Sequence, residues 1–370
     1  MTTVGEHHGP PAPARPFPLG SGYFQRELDL SLSTYWHPDT MEWEARSNAW
    51  AAELLAGTGR NREVLEVCAR DAPLWACLCY PATADTARMT DVARMSLAYF
   101  LIDDCIYTDF LSGGRIGELI REFAEAVADP DARPATFLGR FLATTWRDMT
   151  ARMTPGLRAR WIAATDEYMR GTATEVASRA EGRAFTAEEY QHVRDESMAA
   201  GIVHLLGEHS VGLDMTDDIE ADPELFDRVW RAANDQLLYV NDLYSFRKEY
   251  CDGGDFQHSL VHTGVVADGL TLQESVDRLC GLVEESERRY AQLCREILKE
   301  YDGAAHERMR AYLTQVERGL AGSRDYALVA SRYHGRGFAT ARGNRYVAPR
   351  TSGWLVLQPG RSVFLDGPQK

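Results

Sequence analysis

Asn241, Ser245, Lys248 and Glu249 stand at i, i+4, i+7 and i+8 of one continuous stretch. At about 100° per residue the four fall within a narrow stripe of an α-helix. An amide, a hydroxyl, an ammonium and a carboxylate on one stripe make a poor core face. They suit a place where a divalent cation is held against an anion. Leu237, Leu238, Tyr239 and Val240 lead into the stripe, and Trp230 lies three turns earlier on nearly the same azimuth. The same face therefore runs from apolar to chelating, as the wall of a pocket with a polar mouth does. A solvated helix face is the plainer reading of such a run, and the rest of the chain has to decide.

Three other stretches offer partners. Tyr99-Phe100-Leu101-Ile102-Asp103-Asp104 is an apolar run that ends in adjacent carboxylates, with the two aromatics one turn below Asp103. Two acids there are costly unless something positive sits beside them, and a hard cation such as Mg2+ is the first candidate. Asp109 lies off their azimuths and is a weaker one. Tyr190 and Arg194 share a helix face and precede the small-residue run Ser197-Met198-Ala199-Ala200-Gly201, which tolerates a bend. Arg194 has the fork geometry to clamp an anion. Arg332 and Tyr333 end a further apolar segment with a cation and a phenol.

The elements that must carry these groups read as helices. Residues 41–55 carry apolar side chains at helical spacing and close at Gly57, and 62–80, 86–107 and 115–128 repeat the pattern. Thr154-Pro155 opens a helix reaching about residue 180. Thr186 to Glu189 and Thr271 to Glu274 are capping boxes, the second starting a helix toward Tyr301 with Val276, Leu279, Val283, Tyr290, Leu293 and Ile297 as its buried stripe. The one strand-like run, Trp354-Leu355-Val356-Leu357, sits in a Gly/Pro-rich tail. The expected class is all-α: a Pro/Gly-rich flexible segment over 1–20, one helical domain over 21–344, and a flexible tail over 345–370.

Composition narrows the function. A formal net charge of −15 excludes a general nucleic-acid or anionic-membrane binder, so grouped basic residues must have a local purpose. No apolar run approaches a membrane span. The start shows no secretory signal, and seven scattered cysteines read as reduced thiols of a cytoplasmic protein.

Taken together, the set resembles a bacterial class I terpene synthase. It has an aspartate-rich motif after an aromatic helix (Asp103, Asp104) and the N-D-x-x-S-x-x-K-E form of the metal-binding triad (Asn241, Asp242, Ser245, Lys248, Glu249). It also has an arginine in a Y-x-x-x-R setting (Arg194) and a terminal Arg-Tyr pair (Arg332, Tyr333), all in the family's order. Tyr107 and Thr108 replace the third acid of the usual aspartate-rich motif, and the D-D-C-x-x-x-D text is similar to that of methylisoborneol synthases. The resemblance implies a helical bundle around a central apolar cavity, three Mg2+ ions and an isoprenyl diphosphate substrate, and it allows a homodimer. By it, Asp103, Asp104, Asn241, Ser245 and Glu249 hold metal, while Arg194, Lys248, Arg332 and Tyr333 bind the diphosphate. Trp75, Tyr99, Phe100, Trp230 and Tyr239 would wall the cavity, and Ser197 and Met198 would stand at a helix break beside it. Farnesyl diphosphate is the first expectation, with geranyl, methylgeranyl and geranylgeranyl diphosphates as alternatives. A prenyl-elongating enzyme would need a second aspartate-rich motif where Asn241 to Glu249 stands. A helical Mg2+-dependent nucleotide pyrophosphohydrolase would show E-x-x-E clusters, and a non-catalytic scaffold would have no use for the chelating stripe.

Overall fold

A computed structural model describes residues 22–56, 72–106, 115–129, 131–181, 185–252, 259–335 and 338–357. Most of these residues are helical, because the apolar positions recur at three- and four-residue spacing and proline or glycine falls between the runs. In chain order the helices are α1 (Thr40–Ala56), α2 (Ala72–Cys79), α3 (Thr86–Ile106), α4 (Arg115–Ala128), α5 (Phe137–Thr150), α6 (Pro155–Glu181) and α7 (Ala187–Ser197). They continue as α8 (Ala200–Val211), α9 (Thr216–Ala221), α10 (Pro223–Asp252), α11 (Leu260–Val266), α12 (Leu272–Ile297), α13 (Gly303–Val329) and α14 (Ser331–His334). Four short strands are β1 (Gly22–Gln25), β2 (Thr340–Arg342), β3 (Arg345–Val347) and β4 (Gly353–Val356).

Both capping boxes form as their spacing predicts. Thr186 accepts from Glu189 N–H and Thr271 from Glu274 N–H, and each glutamate reaches back to the cap. Helix α12 stops at Ile297 rather than Tyr301, where Leu298 and the residues after it tighten into turns. Its stripe is buried except at Leu293, which is partly exposed. Helix α5 starts at a Thr136 N-cap, whose hydroxyl accepts from Gly139 N–H.

Helix α10 is the spine. It packs on α12 and α13, while α2 packs on α13 and α3, and α6 on α7. The apolar helix α8 touches α3, α6 and α13 and buries nine of its twelve residues. A narrow apolar gap remains between α8 and α13, lined by Val203, Gly207, Tyr312, Val316 and Leu320.

Strand pairing runs through the division expected at residue 344. β2 and β3 form an antiparallel hairpin across it, with Arg342 opposite Arg345. β4 then pairs antiparallel with β1. The continuous apolar run at Trp354 buries Leu355 and Val356, which a solvated tail could not do. Among the described residues no helix is long and apolar enough to cross a membrane.

Candidate active site where α3, α7, α10 and α14 meet

The Asn241 stripe lies on α10, and α7 binds it with two consecutive contacts. Arg194 Nη2 donates to Asn241 Oδ1 at 2.9 Å, and Tyr190 Oη donates to Asp242 Oδ2 at 2.7 Å. Four residues apart, Tyr190 and Arg194 share one face of α7, which is why a single helix can hold both neighbours. Asp242 is buried and also accepts from Leu260 N–H at 2.7 Å, so it fixes where α11 begins. Burial pushes its carboxyl up to about 6, against the pull of Arg194 and these hydrogen bonds.

Arg194 is itself held from behind. Its Nη1 lies 3.3 Å from Glu175 Oε1 and 3.4 Å from Ser197 Oγ, and the Ser197 hydroxyl donates to Glu175. Glu175 is buried on α6. Close approach of α6 to the end of α7 requires the glycine one turn before Glu175: a Cβ on Gly171 would stand 2.6 Å from Ser197 N. Helix α7 ends there. Met198 caps it, and Ala199 takes φ 58°, the only positive φ of a non-glycine among the described residues. The small-residue run thus does produce a break between α7 and α8, at a left-handed conformation that costs an alanine of order 1 kcal/mol.

Ser245 Oγ is buried with no hydrogen bond of acceptable geometry, though it lies close enough to Glu249 to favour that carboxylate's charge. Glu249 keeps some exposed surface, yet desolvation of the carboxyl, opposed by Lys248, pushes it up to about 7. A buried hydroxyl left over beside an amide oxygen and a carboxylate is an incomplete oxygen-donor set. It fits a hard divalent cation such as Mg2+, which accepts oxygen ligands and retains waters.

The opposite wall comes from α3 and α14. Arg332 Nη2 pairs with Asp103 Oδ2 at 3.3 Å, and its guanidinium stacks 4.9 Å above the Phe100 ring. The positive group that Asp103 calls for is therefore Arg332 in this structure. The two walls converge at Tyr333, whose buried phenol feels Arg332, Lys248, Asp103 and Glu249 together. Asp109 lies outside the described residues, as does the side chain of Asp104.

The expected aromatics divide. Trp75, Phe100, Tyr326 and Tyr333 form a chain of rings with centroids 5.8, 5.7 and 6.0 Å apart. Tyr99 turns to α6, its hydroxyl 3.0 Å from Thr165 Oγ1 and its ring against Tyr168. Trp230 is not brought to the stripe: its Nε1 donates to Tyr312 Oη at 2.8 Å in a separate apolar cluster with Phe226 and Met198. Tyr239 is not brought there either. It leaves α10 on the other side, two residues and about 200° before Asn241, and its phenol lies near Asp235, Arg289 and Asp195.

Sequence reasoning passed over Glu175, although a signal exists. Thr165, Tyr168, Thr172 and Glu175 are buried polar residues at three- and four-residue spacing along α6, the same kind of stripe as on α10.

Residues 94–289 match the model described as terpene synthase family 2, C-terminal metal binding. The chain is 26% identical over 343 residues to (3S,6E)-nerolidol synthase of Selaginella moellendorffii, covering 89% of this chain and 87% of that protein. Its fold is similar to that of the linalool/nerolidol synthase of Streptomyces clavuligerus, with a TM-score of 0.69, 22% identity and coverage of 83% and 100%. It is also similar to germacradien-4-ol synthase of Streptomyces citricolor, with a TM-score of 0.68, 20% identity and coverage of 82% and 98%. The matched stretch contains Asp103, Arg194 and the whole Asn241–Glu249 turn, and the chain belongs to the terpene synthases, in the family whose C-terminal part binds metal.

Proposed function

We propose that the protein is a Mg2+-dependent class I terpene cyclase acting on an acyclic isoprenyl diphosphate, with farnesyl diphosphate as first choice. The observation that carries the reading is that Asp103 with Arg332 from one side and Glu249 with Lys248 from the other act on the Tyr333 phenol, while Arg194 bonds Asn241 on the same helix as Glu249. Relatives named as sesquiterpene synthases support the C15 choice.

In this reading Asn241, Ser245 and Glu249 hold metal from α10, and Asp103 and Asp104 do so from α3. Magnesium, when bound, supplies positive charge that stabilises the departing diphosphate. Arg194, Lys248, Arg332 and Tyr333 donate to the diphosphate oxygens, so negative charge that builds as the C–O bond breaks meets fixed donors. The bonding pair leaves with the oxygen, and the allylic cation remains beside the rings of Phe100 and Trp75. Desolvated π-faces stabilise a cation by about 2 kcal/mol each. Ring closure and loss of a proton, or capture of water, then give a hydrocarbon or an alcohol.

The test uses purified full-length protein with Mg2+ and the C10, C15 and C20 allylic diphosphates, with extracts analysed by gas chromatography–mass spectrometry. A cyclic product from the C15 substrate is expected. A product only from C10 or C20 moves the substrate, and no turnover of any of them overturns the reading.

A further inference from the structure

The two ends of the described chain meet on the back of the turn that carries the proposed metal ligands. β1 and β4 run antiparallel with Gly22 opposite Val356 and Gln25 opposite Gly353. Tyr23 of β1 is buried, its ring centroid 6.3 Å from that of Phe246. Arg247 is only 6% exposed, and its Nε donates to the Val356 carbonyl of β4 at 2.9 Å. Phe246 and Arg247 stand between Ser245 and Glu249 in sequence, but at about 100° per residue they leave α10 away from the stripe. The strands therefore press on one side of a turn whose other side carries Asn241, Ser245 and Glu249.

The strand pair is anchored independently of α10. Both main-chain groups of Phe24 bond the Gln273 side chain of α12 at 2.8 Å, and Arg26 pairs with Glu284 of the same helix. Two strands of four residues are marginal as an isolated sheet. Fastened to α12, they become a rigid point to which a buried guanidinium can attach.

We propose that Arg247 is a positioning residue, which through Val356 and the β1–β4 pair keeps the 241–249 turn of α10 in the setting that aligns its metal ligands. The inference rests on reading Asn241, Ser245 and Glu249 as those ligands. An arginine–carbonyl bond is of the charge-assisted kind, and since only part of its free energy reaches the ligands, its loss is expected to weaken metal binding about five- to ten-fold.

Two variants of the full chain break the link at opposite ends. Arg247→Met removes the donor. Gly22→Ala leaves α10 untouched but puts a Cβ 2.4 Å from the Leu355 carbonyl oxygen, which must push β1 and β4 apart. Each is read in two ways. Amide hydrogen exchange of metal-free protein at residues 241–249, relative to 309–316 of α13, is expected to quicken about five-fold. The half-saturating Mg2+ concentration for diphosphate release should rise by a similar factor, with kcat at saturating Mg2+ nearly unchanged. Arg247→Lys, which can still donate to Val356, should recover most of both effects. If either destabilising variant cannot be purified folded, the other decides. Unchanged exchange and an unchanged Mg2+ midpoint in a folded variant overturn the proposal. Asn241→Ala and Glu249→Ala are run beside them: if these too leave the Mg2+ midpoint unmoved, it is the ligand assignment that fails.

Discussion

Arg194 Nη2 lies 2.9 Å from Asn241 Oδ1 across 47 residues of sequence, so the cation proposed for the diphosphate touches an atom proposed as a metal ligand. Arg194→Gln should therefore lower both anion and metal affinity. A charge-assisted bond of about 1.5–3 kcal/mol corresponds to a fall in kcat/KM of roughly ten- to hundred-fold. The half-saturating Mg2+ concentration should rise with it, measured by diphosphate release. A variant that loses kcat/KM with no change in Mg2+ dependence would show that the contact with Asn241 carries no coupling.

Glu175 has no place in the proposed chemistry except through Arg194 and Ser197, which it holds at the α7–α8 break. Glu175→Gln keeps an acceptor for Ser197 and removes the charge opposite Arg194. KM for the diphosphate substrate is expected to rise about ten-fold while kcat changes little. Glu175→Ala, which leaves the Ser197 hydroxyl without its acceptor as well, should add a clear drop in melting temperature. Equal effects of the two variants on both quantities would mean that Glu175 acts only as core filling.

Much of this site is legible from residue spacing. Asn241, Ser245, Lys248 and Glu249 form a stripe under any helical geometry, and Tyr190 and Arg194 share a face for the same reason, so the α7–α10 contact follows from periodicity once the helices pair. The partners of exposed or single residues do not follow. That Arg332 lies over Phe100 and against Asp103 depends on how α14 turns back at the end of α13, which no local pattern encodes. Tyr239 and Trp230 show the opposite case: nearness to the stripe in sequence suggests a place in its wall, while the azimuth of one and the packing of the other against Phe226 and Tyr312 take them elsewhere. The strand-like run at Trp354 is legible by itself, but its pairing with β1 joins residues more than three hundred apart, a contact that no pattern within one strand announces.

Phe100 ties α3 to α14 within one wall, since its ring carries the Arg332 guanidinium at 4.9 Å and packs against Trp75 and Tyr326. Phe100→Leu keeps apolar volume and removes the π-face. A loss of about 1 kcal/mol in the placement of Arg332 corresponds to a roughly five-fold lower kcat/KM, and the product mixture should shift toward open-chain alcohols as the cation loses a stabilising face. Phe100→Tyr should keep kcat/KM within about two-fold of the parent. If Phe100→Leu matches it in both rate and product profile, the ring has no electrostatic role.

The pH dependence of stability has two opposing sources that a single variant separates. His204 is buried and its Nε2 lies 2.9 Å from Asn234 Oδ1; burial pulls it down to about 4, with that hydrogen bond opposing. Burial likewise takes His334 to about 4. Below about 6.5 the unfolded chain binds protons that these folded imidazoles refuse. Their contribution is therefore fully present above about 6.5 and is lost as pH falls toward 4. Asp242, raised to about 6, runs the other way: the folded state holds a proton that the unfolded chain releases, so stability is lost as pH rises from about 4 to 6. Comparing His204→Gln with the parent cancels the Asp242 and His334 contributions, and glutamine can still donate to Asn234. Between pH 7 and pH 5 the parent should lose about 2 kcal/mol more than the variant, read from urea midpoints at the two pH values. Equal losses in the two proteins would show that His204 accepts its proton in the folded state, and the buried neutral imidazole would have to be abandoned.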